Sequence, residues 1–165
     1  MDERGIVLGP LLAAYGHRTT DGVVRFAAST VRNVTDVLLA TDADWLFDEI
    51  DAALGGDFMV SQVREGAQVA VACEQVEPAL VILDLQIGNM GGMAVSMLLT
   101  QEIRAGRLEP TRILMLLDRE HDTWLAGQAE SDGWLVKPLD SFRIRNAARA
   151  LLEGGTVQEG PVATG

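Results

Sequence analysis

The chain has 165 residues, 48% of them hydrophobic but only 5% aromatic, and a formal net charge of -11. That length suits one ordinary domain with a core of Ala, Val, Leu, Ile and Met rather than two marginal ones, and the negative charge argues against direct contact with nucleic acid or an anionic membrane surface. The lone cysteine, Cys73, excludes an intramolecular disulfide; the start, Met1-Asp2-Glu3-Arg4, lacks the basic head of a signal peptide, so a cytoplasmic location is expected.

Residues 1–35 form an N-terminal extension to which no role is assigned. Its apolar run from Gly5 to Tyr15 is broken by Gly9 and Pro10 and is too short to span a bilayer; Gly22 to Ala28 is compatible with one extended stretch. From about Val37, short aliphatic runs alternate with helix-length amphipathic stretches, the pattern of βαβ units around a parallel sheet. Strands are predicted at Val37–Thr41, Phe58–Val63, Leu80–Asp84, Arg112–Leu117 and Gly133–Val136. The third and fourth are continuous apolar runs, which places them centrally with both faces covered.

Between the strands, Leu46, Ile50, Ala53 and Leu54 fall at helical spacing before a Gly55-Gly56 stop. A second helix is predicted from about Gly66 to Gln75, with Cys73 on its buried face. A third runs from about Gly92 to Ala105 on a stripe of Val95, Leu98, Leu99 and Ile103. A short fourth begins near Thr123. The last follows Ser141 as N-cap, with Ile144, Ala147, Ala148 and Leu151 inward and Gly154-Gly155 closing it. This makes residues 36–153 one doubly wound α/β domain and residues 154–165 a flexible tail, leaving no room after Leu152 for an output domain.

In such a sheet the C-terminal strand ends face one crevice, where ligands bind. The first strand ends in Thr41-Asp42-Ala43-Asp44, the third at Asp84, and the fifth runs into Lys137-Pro138. Three carboxylates on one edge repel one another unless a hard cation sits among them, and oxygen donors with room for water suit Mg²⁺. With that cation and Lys137 neutralising equatorial charge, a central aspartate is able to attack a phosphoryl donor in line; Asp84 is the best placed. His17 and His121 lack metal-ligand spacing and read as solvated.

These residues, with the run Pro78-Ala79-Leu80-Val81-Ile82-Leu83-Asp84-Leu85, resemble the receiver domain of bacterial response regulators over roughly Asp36 to Leu152. The resemblance implies a flavodoxin-like five-stranded parallel sheet of order 2-1-3-4-5. It implies Asp84 as phosphoacceptor, Lys137 as phosphoryl contact, and Mg²⁺ held by Asp42, Asp44, Asp84 and the Gln86 backbone carbonyl. It also implies a cis Lys137-Pro138 bond and a histidine kinase or phosphotransfer protein as donor, with a downstream protein as recipient of the signal.

Several positions depart from the family pattern. Leu117 stands where a threonine or serine hydroxyl binds the phosphoryl group, a loss worth roughly 1.5–3 kcal/mol, or about 10- to 100-fold in the phosphorylated active state. Trp134 occupies the aromatic switch position, where Leu117 lacks the hydroxyl that draws the aromatic inward but is able to pack on the indole. Asp118 replaces a small residue and adds a carboxylate at the mouth, with repulsion of an anionic donor or recruitment of a cation as alternative consequences. Gly88 and Gly91 replace a usual proline and a common acid, implying a more mobile loop after the acceptor.

The first expectation is thus a stand-alone phosphoacceptor signalling through protein contacts, with no enzymatic activity beyond its own phosphorylation and dephosphorylation. The second is a degenerate receiver acting as a phosphorylation-independent interaction module. An aspartate-nucleophile phosphatase usually has a second aspartate where Gln86 stands, and flavin binding meets carboxylates where a phosphate cradle is needed. Arg143, Arg145 and Arg149, facing Glu120, Asp122, Glu130 and Asp132, allow a homodimer through the fourth and fifth helices, or simply a solvated charged surface.

Overall fold

Every residue of the run Leu80–Asp84 is buried, as an unbroken aliphatic strand requires when both faces of its sheet are covered. In the computed structural model, which describes residues 6, 7 and 34–159, this run is the middle of a parallel sheet. Because side chains alternate along a strand, Val81 and Leu83 enter one core cluster while Leu80 and Ile82 enter a second on the opposite face. Each fully buried aliphatic side chain contributes roughly 1.5–3 kcal/mol, so the two clusters hold helices against both faces.

The elements in chain order are β1 Ile6–Val7, β2 Thr35–Ala40, α1 Asp44–Leu54, β3 Phe58–Val63, α2 Val69–Val76, β4 Leu80–Asp84, α3 Gly92–Arg104, β5 Arg112–Leu117, α4 Thr123–Gln128, β6 Gly133–Val136, α5 Ser141–Leu152 and β7 Val157–Gln158. The described residues form a seven-stranded sheet of order β1-β3-β2-β4-β5-β6-β7. Its five central strands are the predicted ones in the predicted 2-1-3-4-5 order, all parallel. Helices α1 and α5 cover one face through Leu46, Ile50, Leu54, Ile144, Ala148 and Leu151. The other face is covered from α2, α3 and α4 through Val69, Ala72, Cys73, Val95, Leu99 and Ala126.

The structure corrects several boundaries. Two short strands extend the predicted sheet of five: β1 pairs antiparallel with β3, and β7 pairs parallel with β6, so residues 157–158 are sheet rather than flexible tail. Thr41 lies just beyond β2 instead of ending it. A 3₁₀ turn at Gly66–Gln68 precedes α2, and Asp140, not Ser141, caps α5 by accepting from the Arg143 N–H at 2.9 Å. Leu98 and Ile103 are only half-buried; Ser96 is fully buried instead, its hydroxyl donating to the Ala129 carbonyl. The stretch Gly22 to Ala28 and His17 lie outside the described residues. Among the described residues no helix is long and apolar enough to cross a membrane.

Candidate functional site

Register brings the strand ends level. Ala40 is opposite Leu83, Asp84 opposite Leu116, and Leu117 opposite Val136. Thr41 follows β2 with its N–H on the Val63 carbonyl at 2.9 Å, and the Lys137 N–H continues the ladder to the Leu117 carbonyl at 2.8 Å. Thr41, Asp84, Asp118 and Lys137 therefore sit at the C-terminal edge of four strands, where ligands of doubly wound folds bind. The Lys137-Pro138 peptide is cis, as the sequence resemblance implied.

Asp84 is only 3% exposed, and its carboxylate is held from three directions. The Thr41 hydroxyl donates to Oδ2 at 2.8 Å, the Gln86 N–H donates to Oδ1 at 3.2 Å, and Lys137 Nζ donates to Oδ1 at 3.0 Å. Lys137 Nζ also donates to Asp118 Oδ1 at 3.0 Å. One ammonium thus bridges two carboxylates. Burial works to lower the Lys137 pKa, but the hydrogen bonds to Asp84 and Asp118 and their negative charge outweigh it and hold the ammonium above its ordinary range. The second Asp118 oxygen is buried without a hydrogen-bond partner, a cost an aspartate incurs when its position is dictated by one cation.

The expected acidic pair is not assembled as expected. Asp44 opens α1 and its side chain, 70% exposed, turns outward to ion-pair with Arg64. Asp42 is exposed, and its Oδ2 lies 3.6 Å from where a Cβ on Gly88 would stand, so it faces the loop after Asp84. Among the described residues, no three Asp, Glu, His or Cys side chains form a group able to hold a metal ion. Of the sequence-predicted acidic pair, the Asp44 side chain is paired with Arg64, and Thr41 is the β2-end residue that reaches Asp84. Asp42, Asp84 and the Gln86 carbonyl are oxygen donors of the kind Mg²⁺ takes, one or two carboxylates with most of its waters kept.

The loop after Asp84 is braced. Gly66 N–H donates to the Gly88 carbonyl and Ala67 N–H to the Asn89 carbonyl, while the Asn89 side chain reaches Glu65. Leu117 is fully buried, and the partly buried Trp134 packs on the same core cluster; the indole N–H is committed to the Glu159 carbonyl at 2.7 Å. Beside Lys137, a cleft of about 300 Å³ is lined by Trp45, Glu49, Lys137, Pro138 and Leu139, and Trp45 is 61% exposed at its rim.

Sequence reasoning missed Thr41 as a site residue and the anchoring of Asp118 on Lys137. A signal existed for both: Thr41 ends one predicted strand of the parallel sheet and Asp118 directly follows another, so each lies level with Asp84. Of the charges proposed to meet across a dimer, Arg143, Arg145, Arg149, Asp122, Glu130 and Asp132 have partners within the chain. Arg143 pairs with Glu159, Arg149 with Asp57, Arg104 with Glu130, Arg112 with Asp132 and Arg119 with Asp122, and Arg145 donates to the Ala53 carbonyl.

No family model and no curated protein matches the chain by sequence. Solved structures do match. The signal receiver domain of a signal transduction histidine kinase from Syntrophus aciditrophicus superposes with a TM-score of 0.66 at 18% identity, over 73% of this chain and 92% of that one. A chemotaxis response regulator of Vibrio cholerae matches with a TM-score of 0.62 at 18% identity, over 71% and 98%. An isolated receiver domain from Salmonella enterica, determined in the presence of a beryllofluoride phosphomimetic, matches with a TM-score of 0.64 at 14% identity, over 77% and 94%. The chain has the receiver-domain fold.

Proposed function

From that fold and the arrangement at its strand ends, we propose that this protein is a response-regulator receiver that accepts a phosphoryl group on Asp84. The single observation behind this reading is the buried Asp84 carboxylate with Lys137 Nζ at 3.0 Å, at the sheet edge beside an open cleft. A carboxylate oxygen attacks phosphorus in line, the bond from phosphorus to the donor's leaving group breaks, and the negative charge on the phosphoryl oxygens is met by the Lys137 ammonium. Asp84 exchanges one of its hydrogen bonds for the new oxygen–phosphorus bond, while the Gln86 N–H and Thr41 hydroxyl keep the carboxyl plane oriented. Asp42, Asp84 and the Gln86 carbonyl would hold Mg²⁺, which supplies charge neutralisation for the phosphoryl oxygens. The donor is a histidine kinase or phosphotransfer protein whose histidine enters the cleft beside Trp45, and a protein partner receives the signal. No enzymatic activity beyond this acceptor chemistry is assigned.

Three observations favour a second reading, a phosphorylation-independent interaction module. Asp84 accepts three hydrogen bonds, Lys137 is shared with Asp118, and the buried Leu117 offers no hydroxyl. Intact-mass analysis after incubation with acetyl phosphate, with and without Mg²⁺, separates the two. The receiver reading expects a Mg²⁺-dependent gain of one phosphoryl group that Asp84→Ala abolishes. A folded protein that gains none from acetyl phosphate or from a panel of phosphorylated histidine phosphotransfer domains supports the second reading.

A further inference from the structure

Beyond α5 the chain turns back at Gly154 and Gly155 and lays Val157 and Gln158 beside Gly133 and Trp134 as β7. Two paired residues are too few to hold a strand by backbone bonding alone, and the anchoring comes from the next residue, Glu159. Its carbonyl accepts from the Trp134 indole at 2.7 Å and its N–H donates to the Trp134 carbonyl at 3.3 Å. The Glu159 carboxylate accepts from the Val136 N–H at 3.4 Å and from Arg143 through both Nε and Nη2. Arg143 is itself fixed by donating to the Val136 carbonyl at 2.9 Å and the Pro138 carbonyl at 2.6 Å. A forked guanidinium held by two carbonyls and meeting a carboxylate through two nitrogens is a geometrically selective receptor.

The strand edge is shaped for close approach as well. A Cβ on Gly133 would stand 2.5 Å from the Val157 carbonyl oxygen and 3.0 Å from its nitrogen. The edge of β6 therefore combines a side-chain-free position, an indole donor, a backbone donor and a fixed guanidinium, all directed at one extended segment that carries the Glu159 carboxylate.

We propose that the β6 edge, with Trp134, Val136 and Arg143, is a docking site for an extended peptide segment carrying a carboxylate, and that residues 155–159 fill it in cis. A partner protein engages this surface by presenting an extended acidic segment that replaces the resident one, adding a strand to the sheet edge. The resident segment competes as a tethered ligand at an effective concentration in the millimolar range, so the site opens only to a partner that outbids it or when Glu159 is lost.

The test uses the full chain and a labelled peptide of residues 154–165, followed by fluorescence anisotropy. Glu159→Ala loosens the resident segment, and this variant should bind the peptide at least tenfold more tightly than the wild-type chain. A peptide carrying Glu159→Ala, or a chain carrying both Arg143→Ala and Glu159→Ala, should show no such gain. Amide exchange on the same samples provides a second readout: Val136 should lose at least tenfold protection in the Glu159→Ala chain, while Leu116, in the sheet interior, keeps its own and reports that the variant is folded. Equal peptide binding by the wild-type and Glu159→Ala chains, binding that ignores the peptide's glutamate, or unchanged Val136 protection would each overturn the proposal.

Discussion

Replacing Thr41 by valine removes one hydroxyl and keeps nearly the whole volume, so its effect isolates the contact with Asp84. That hydroxyl is buried, donates to Asp84 Oδ2 at 2.8 Å, and accepts from the Ala43 N–H at 3.1 Å at the entrance to α1. A hydrogen bond to a charged, buried acceptor contributes roughly 1.5–3 kcal/mol. At about 2–4 °C per kcal/mol for a chain of this length, Tm should fall by roughly 3–12 °C. Thermal and urea unfolding of Thr41→Val and Thr41→Ser supply the first comparison; serine keeps both bonds and should recover most of the loss. The Asp84→Ala background supplies the second. There the cost of Thr41→Val should shrink by about 1 kcal/mol or more, because the acceptor has gone. An equal Thr41→Val cost in both backgrounds, or a serine as damaging as valine, would refute the reasoning.

Asp118 shares the Lys137 ammonium with Asp84; Asp118→Ala, and Asp118→Asn in the same direction, should raise the initial rate of acetyl-phosphate-dependent phosphorylation about tenfold, the equivalent of ~1.4 kcal/mol, and an unchanged or slower rate contradicts the counter-ion role. A Cβ on Gly92 would stand 2.7 Å from the Asp84 carbonyl oxygen and 3.0 Å from the Leu85 Cα, so Gly92→Ala should cost roughly 1–3 kcal/mol by overpacking, read from the urea midpoint. Burial pushes the Cys73 thiol from 9.0 up to about 12, which means the fold favours the neutral thiol. Its stabilising contribution is therefore complete below pH 9.0 and is lost as the pH rises toward 12. Urea midpoints should fall more steeply from about pH 9 to about pH 11 in the wild type than in Cys73→Ala, and parallel curves would contradict the assignment.

The central sheet is legible in the sequence because residues 37–40, 80–83 and 113–117 are aliphatic runs that stand out against the helical periodicity around them. Ile6–Val7 and Val157–Gln158 are not legible, since two residues show no period and their pairing is decided by the partner edge: β7 depends on Gly133 and on Glu159 meeting Arg143, contacts far apart in sequence. The α5 cap shows how local choices are settled by geometry. Asp140 and Ser141 are both capping residues, and the one whose side chain reaches the Arg143 N–H is the cap.

At the site, the meeting of Asp84 and Lys137 is legible because the two stand at the C-terminal ends of strands of one parallel sheet; either residue alone is a weak signal. The metal set is less so. Asp44 lies near Asp42 in sequence, but it begins α1 and its side chain is turned toward Arg64. The residue that reaches Asp84 is Thr41, which a periodicity reading absorbs into the strand. Asp118 was visible as an extra carboxylate, but only the register of β5 with β6 shows that Lys137 is its counter-ion.

The most direct measurement of the central claim is the position of the phosphoryl group. After brief incubation with acetyl phosphate and Mg²⁺, borohydride reduces an acyl phosphate to the alcohol, and peptide mass spectrometry locates the reduced residue. Reduction is expected at Asp84, with none in the absence of donor or in the Asp84→Ala chain. Reduction at Asp42 or Asp118 instead, or no reduction in a protein whose fold is intact, would contradict the assignment of Asp84 as the acceptor.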